Sequence, residues 1–249
     1  VELTERAEAY SGLGYPFEIC GPSKQVLRFT NDKIWPYIFL LALSYTHPNE
    51  KADGTNTGAN IFEGIAWLGL GRFFGDPMST FVGHSCHHLG KPSLSGLPNY
   101  FYDKIDELAK EYKEGVGYKP ALTGHHQSSG DGKMDIIVRR GFPDKRGAQF
   151  FFFAGCASGK NWDSTKSYEC NPDEWLETHF KGKFRGIKGM GRGYFIPRQI
   201  GADSWNTISG RAGTILDRCR LSLVTCSATH GQLTAARKWT ERYCRKVFT

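Results

Sequence analysis

The stretch 129–162, SGDGKMDIIVRRGFPDKRGAQFFFFAGCASGKNW, sets Asp135 ahead of one apolar run and Lys160 in a small-residue turn after the next. An acid that can hold a divalent metal, with a cation that orients water and offsets charge on phosphorus oxygens, is what phosphodiester hydrolysis requires. Taken singly, each has a plainer reading, a strand-flanking Asp and a solvated loop Lys. A second acid, Glu63, stands within ANIFEGIAWLGLGRFF at 59–74, a helical pattern apolar almost all round and therefore buried. A carboxylate there is costly unless it meets a cation, a metal or backbone donors. Asn60 followed by Glu63 also matches a capping box, in which Glu63 would serve only the helix start, and spacing alone weighs the two readings equally.

The elements that would position these residues follow from the pattern. MDIIV and QFFFFA flank GFPDKRG, which reads as strand, turn, strand. A turn centred near Asp144 and Lys145 puts Asp135 opposite Ala154 or Gly155, on the strand face of Ile137 and Arg139. Residues 33–46 form a buried helix, with Asn31 or Asp32 as cap and Pro36 in the first turn. FYDKIDELAKEYKEG at 101–115 is an amphipathic helix burying Phe101, Ile105, Leu108 and Tyr112. NPDEWLETHFKG at 171–182 carries helix-start signals, and GQLTAARKWTERYCRKVF at 231–248 is a helix expected to bury Leu233, Ala236, Tyr243 and Val247. YPFEI at 15–19, VLRF at 26–29 and YFIP at 194–197 are short strands.

Other clusters carry weaker chemistry. HSCHH at 84–88 lacks a second ligand pair at zinc spacing and adjoins a loop-like segment, so a structural zinc site is the minority reading. Cys156, with His125 or His126 as base, makes a thiol hydrolase an alternative, against the simpler reading of a buried thiol at a strand end. The segment KGKFRGIKGMGRG at 181–193 is glycine-rich and basic. Its Lys183, Arg185, Lys188 and Arg192, interleaved with Phe184 and followed by Tyr194, suit contact with nucleic-acid phosphates and a base face. The whole chain agrees in sign, with 32 Lys and Arg against 25 Asp and Glu giving a net charge of +7. Seven cysteines at irregular spacing suit free thiols in a reducing compartment. The early apolar run at 34–43 is about half the length that spans a bilayer and contains Pro36, so a cytoplasmic protein with no membrane partner is expected.

Phe62-Glu63 on an early helix, GDGKMDIIV as an acidic strand and the next strand running into FAGCASGKNW together resemble the restriction-endonuclease-like PD-(D/E)XK nuclease superfamily, in particular its uncharacterised bacterial branches. The resemblance covers about residues 59–165, on short and degenerate motifs. It implies an α/β (α+β) fold with a mixed central sheet flanked by helices. It also implies a single nuclease-like domain over 1–249, with a flank at 1–58, a core at 59–200 and a helical part at 201–249. Carried over by position, it makes Glu63 and Asp135 the Mg²⁺ (or Mn²⁺) ligands and Lys160 the catalytic lysine. The implied substrate is nucleic acid, DNA before RNA, and the implied setting is a bacterial anti-phage defence or restriction system, with a partner protein. One departure stands out: the acid or glutamine usual two residues before the lysine is missing, and Gly155 holds the corresponding stretch. A catalytically inactive subunit that binds nucleic acid in a larger complex is therefore the alternative.

Overall fold

The computed structural model describes residues 2–10, 13, 15–19, 25–27, 32–51, 57–75, 84–90, 93–120, 132–142, 144, 146–164, 166–185, 190–226 and 231–248. Its centre is a mixed sheet of five strands, β3 (His84–His88), β4 (Ile136–Arg140), β5 (Phe150–Cys156), β6 (Met190–Phe195) and β7 (Thr214–Leu216), in that spatial order. Strand β4 runs antiparallel to both β3 and β5, whereas β5, β6 and β7 are mutually parallel. A separate two-stranded ribbon joins β1 (Phe17–Ile19) to β2 (Gln25–Leu27).

Helices cover both faces. On one lie α2 (Trp35–Tyr45), α3 (Gly58–Phe73), α8 (Arg218–Thr225) and α9 (Gly231–Phe248), packed on Ile136, Val138, Phe152 and Ala154. On the other lie α4 (Phe101–Tyr112) and α6 (Pro172–His179), packed on Ile137, Phe151 and Phe153. Next to them α7 (Ala202–Ala212) covers Tyr194 and Ile215. The unbroken phenylalanine run of β5 follows from this arrangement, because a central strand buried on both sides needs apolar residues at every position. The short helices α1 (Glu2–Ala9) and α5 (Lys166–Glu169) complete the described elements.

Several expectations are corrected. HSCHH, which the pattern assigned to no element, forms the edge strand β3, paired residue for residue with β4. The last four residues of the basic segment are the start of β6, so the strand expected at 194–197 begins four residues earlier. Two of its glycines are there for packing. A Cβ at Gly191 would sit 2.5 Å, and one at Gly193 2.6 Å, from the Phe152 ring, so the ring lies flat against bare backbone. Phe184 and Tyr194 are buried in the core and offer no face to a base. Helix α4 ends at Tyr112 rather than Gly115, with Lys113 at φ 54° closing it in the left-handed region. In α9 the buried anchors are Ala236 and Trp239, while Val247 is 53% exposed. Helix α2 begins after a 3₁₀ turn at Asp32–Ile34, with no side-chain cap.

Candidate nuclease-like site

The β4–β5 register pairs Ile136 with Ala154, which brings Asp135 opposite Gly155. Its backbone is held on both sides, the N–H donating to the Ala154 carbonyl at 3.1 Å and the carbonyl accepting from Leu89 N–H at 2.8 Å. Its side chain prolongs the ladder: Oδ2 accepts the Cys156 N–H at 2.5 Å. A Cβ on Gly155 would stand 3.9 Å from Oδ2 and 3.5 Å from the Cys170 Cβ, in ordinary contact with both. The position at which the resemblance implies a further ligand thus has no side chain and room for one. Burial, then the negative charge of Asp135, pushes the Cys170 thiol up to about 12, so it stays protonated beside the carboxylate.

Beyond β5 the chain keeps hold of β6 through Ala157 N–H to the Phe195 carbonyl at 2.9 Å, and then turns. Lys160 stands exposed on that turn. The loop is anchored from below, where the Tyr194 hydroxyl donates to the Trp162 carbonyl at 2.6 Å. Burial, followed by the nearby thiol of Cys156, raises the Tyr194 pKa, which keeps that hydroxyl a donor.

Glu63 is not a helix cap. The N-cap of α3 is Thr57, whose side chain accepts the Asn60 N–H at 3.2 Å, and Glu63 lies in the second turn. Its Oε2 instead meets His88 Nε2 at 3.3 Å. The other nitrogen of that ring, Nδ1, accepts the Leu94 N–H at 3.2 Å, so the ring proton belongs on Nε2 and points at Glu63. Alternation along the strands decides how the two acids approach. Helix α3 packs on the face of Ile136 and Val138, whereas Asp135 continues the face of Ile137. Glu63 and Asp135 thus reach the same end of the sheet from opposite faces.

The basic segment is at the other end. Strand β5 runs from the hairpin turn towards the Asp135 end, and β6 is parallel to it, so residues 181–185 lie beside the hairpin turn. At a rise of about 3.3 Å per residue, the length of β5 separates them from Asp135 by about 20 Å. Lys183 and Arg185 are exposed, Arg192 is a half-buried residue within β6, and Lys188 lies outside the described residues, as do His125 and His126. Two side chains with structural roles escaped the sequence reading. Buried Lys104 of α4 donates to the carbonyls of Leu89 and, at 2.9 Å, Gly90, next to the Glu63–His88 pair. Buried Glu114 accepts the N–H of Ala148 at 2.5 Å and of Arg185 at 2.6 Å. For Lys104 the only signal was its place on the apolar stripe of the helix, at Phe101 + 3.

Among the described residues, no three His, Cys, Asp or Glu side chains group closely enough to hold a metal ion, and none of the helices is long and apolar enough to cross a membrane. No protein-family model, curated protein or solved structure matches the chain.

Proposed function

We propose that the chain is a nuclease-like domain that takes nucleic acid at the Asp135 end of its sheet and hydrolyses phosphodiester bonds there. The observation that carries the reading is the β4–β5 register. It sets a half-buried carboxylate at the end of the ladder, with a lysine on the turn that follows. The mixed sheet between helical layers is the architecture that the superfamily resemblance implies. The donors suit Mg²⁺ or Mn²⁺ in kind, since Mg²⁺ is commonly held by one or two carboxylates with water and substrate phosphate completing its shell. They do not suit a cage made by the protein alone, because Glu63 and Asp135 approach from opposite faces and Gly155 adds no oxygen. When bound, such an ion would supply charge neutralisation at the phosphate and an acidified water.

The chain's own residues would divide the remaining work. Asp135, fixed by the Cys156 N–H, keeps its oxygens in one orientation without reorganisation. Lys160 would offset negative charge on the phosphate, and Glu63, oriented by His88, would act from the opposite side. A role in bacterial defence beside a partner protein belongs to the same proposal. The second reading, a subunit that binds without cutting, is favoured by glycine at position 155.

Cleavage of linear, supercoiled and single-stranded DNA and of RNA, across Mg²⁺ and Mn²⁺ concentrations, tests the choice. Asp135→Asn keeps an acceptor for the Cys156 N–H but loses the charge, and Lys160→Ala loses the cation. Both are expected to abolish cutting, with binding retained. No metal-dependent cleavage of any substrate by wild type, with both variants the same, would leave the non-cutting reading in its place.

A further inference from the structure

A cavity of about 360 Å³ opens where β6 and β7 run out, between α1, α7 and the start of α8. Arg6, Tyr10, Gln199, Trp205 and Arg220 line it. Because β5, β6 and β7 are parallel, this is the same end of the sheet as Asp135 and Lys160. Two strand spacings separate β5 from β7, or about 10 Å.

The chemistry of the wall is specific. The Arg220 guanidinium lies over the Trp205 ring, 4.4 Å from its centroid. Its Nη1 is tied to the Ile215 carbonyl at 3.1 Å, so the plane is held in place while the side chain stays exposed. Trp205 is fixed from behind by the apolar cluster of Ile200 and Ile208. Acids also line the cavity. Asp217 is buried and turned inward to accept the Arg220 N–H as the cap of α8, and Glu5 is exposed. Arg6 adds a second cation.

We propose that this cavity binds one nucleotide unit, its base stacked on the outer face of the Arg220–Trp205 pair and its phosphate facing Arg6. Bases stack on guanidinium planes as well as on aromatic rings. The volume is at the small end of ligand pockets and takes one base, not a base pair. The unit belongs to a single strand whose neighbouring phosphates run towards Asp135, or to a free nucleotide. The proposal rests on the nucleic-acid reading above and moves the contact from the glycine-rich segment to the candidate-site end.

Anisotropy of a labelled 12-nucleotide single-stranded DNA, a 12-base-pair duplex and labelled AMP separates the possibilities. Trp205→Ala and Arg220→Lys, which keeps charge but not the plane, are expected to weaken single-strand binding about 5- to 150-fold and leave duplex binding unchanged. Ala202→Trp, at the exposed rim and one helical turn before Trp205, fills the cavity, and is expected to do the same with an unaltered urea midpoint. Binding of AMP that depends on Trp205, with weak binding of the strand, assigns the pocket to a free nucleotide. Equal single-strand affinity in wild type and folded variants, or no binding of strand or AMP by wild type, overturns the proposal. Binding that needs Trp205 without any cleavage sinks the hydrolytic reading and leaves this site. Cleavage indifferent to Trp205, with equal binding in all variants, does the reverse.

Discussion

Gly155 is the residue at which the candidate site is most easily changed. Its conformation is not one reserved for glycine, and a Cβ there meets Cys170 and Asp135 only at ordinary contact distance. Gly155→Gln therefore adds a side-chain oxygen beside Asp135 without forcing the backbone. If the site is short of one ligand, this variant should lower the Mn²⁺ concentration for half-maximal cleavage several-fold, with a urea midpoint close to that of wild type. No change in metal dependence, in a variant that folds, would mean the vacancy at 155 is irrelevant to the site. The position of Asp135 was readable from the sequence because register in a hairpin follows from two apolar runs and one turn. The partner of Glu63 was not, because His88 is 25 residues away and reaches it only after β3 has joined the sheet.

Among the elements, β3 is tied to α4 as well as held by its ladder. Glu111 of α4 stands 2.9 Å from His87 Nε2, an approach misaligned for a hydrogen bond, and 3.3 Å from Arg139 Nη2 on the next strand. Burial alone would raise its carboxyl, but His87, then Ser85 and Arg139, outweigh that and hold it below the ordinary range. A carboxylate with a depressed pKa in the fold stabilises above its unfolded value, about 4.3, and that contribution is lost as pH falls through the folded value. Glu111→Gln should therefore narrow the stability gap between pH 7 and pH 3, measured as urea midpoints. An unchanged acid limb would remove Glu111 from the account. The same strand shows the limit of pattern reading. Helix α4 was legible because Phe101, Ile105, Leu108 and Tyr112 repeat at helical spacing, all of them buried. HSCHH offers neither β-branched residues nor alternation, and only pairing with β4 makes it a strand. In β6 the glycines read as loop because the Phe152 ring that requires them lies about 40 residues upstream.

At the scale of the whole molecule, two positive regions lie at opposite ends of the sheet. Lys183 and Arg185 flank the hairpin end, whereas Lys160, Arg6 and Arg220 belong to the end with Asp135. A separation of about 20 Å corresponds to about six base-pair steps of duplex at 3.4 Å each. Replacing Lys183, Arg185 and Lys188 together by alanine should flatten the salt dependence of binding to a 20-base-pair duplex by up to about three. The same change should leave the affinity for a six-nucleotide strand unaltered. Equal losses on both ligands would show that one continuous surface, not two, makes the contact.

The hairpin end has a further property that comes from Glu114. One carboxylate, 1% exposed, closes the connection from β4 to β5 through Ala148 and the connection from α6 to β6 through Arg185. The chain around it is laced to the same segment by Gly115 N–H to Lys183 O, Val116 N–H to Lys181 O and Lys181 N–H to Gly117 O. Releasing either amide leaves a buried Glu114 oxygen without its donor, which couples the opening of the two. In amide exchange the Ala148 and Arg185 N–H groups are expected to open together, with one opening free energy, although they are far apart in the chain. Docking on Lys183 and Arg185 is then expected to slow exchange of the Ala148 amide as well.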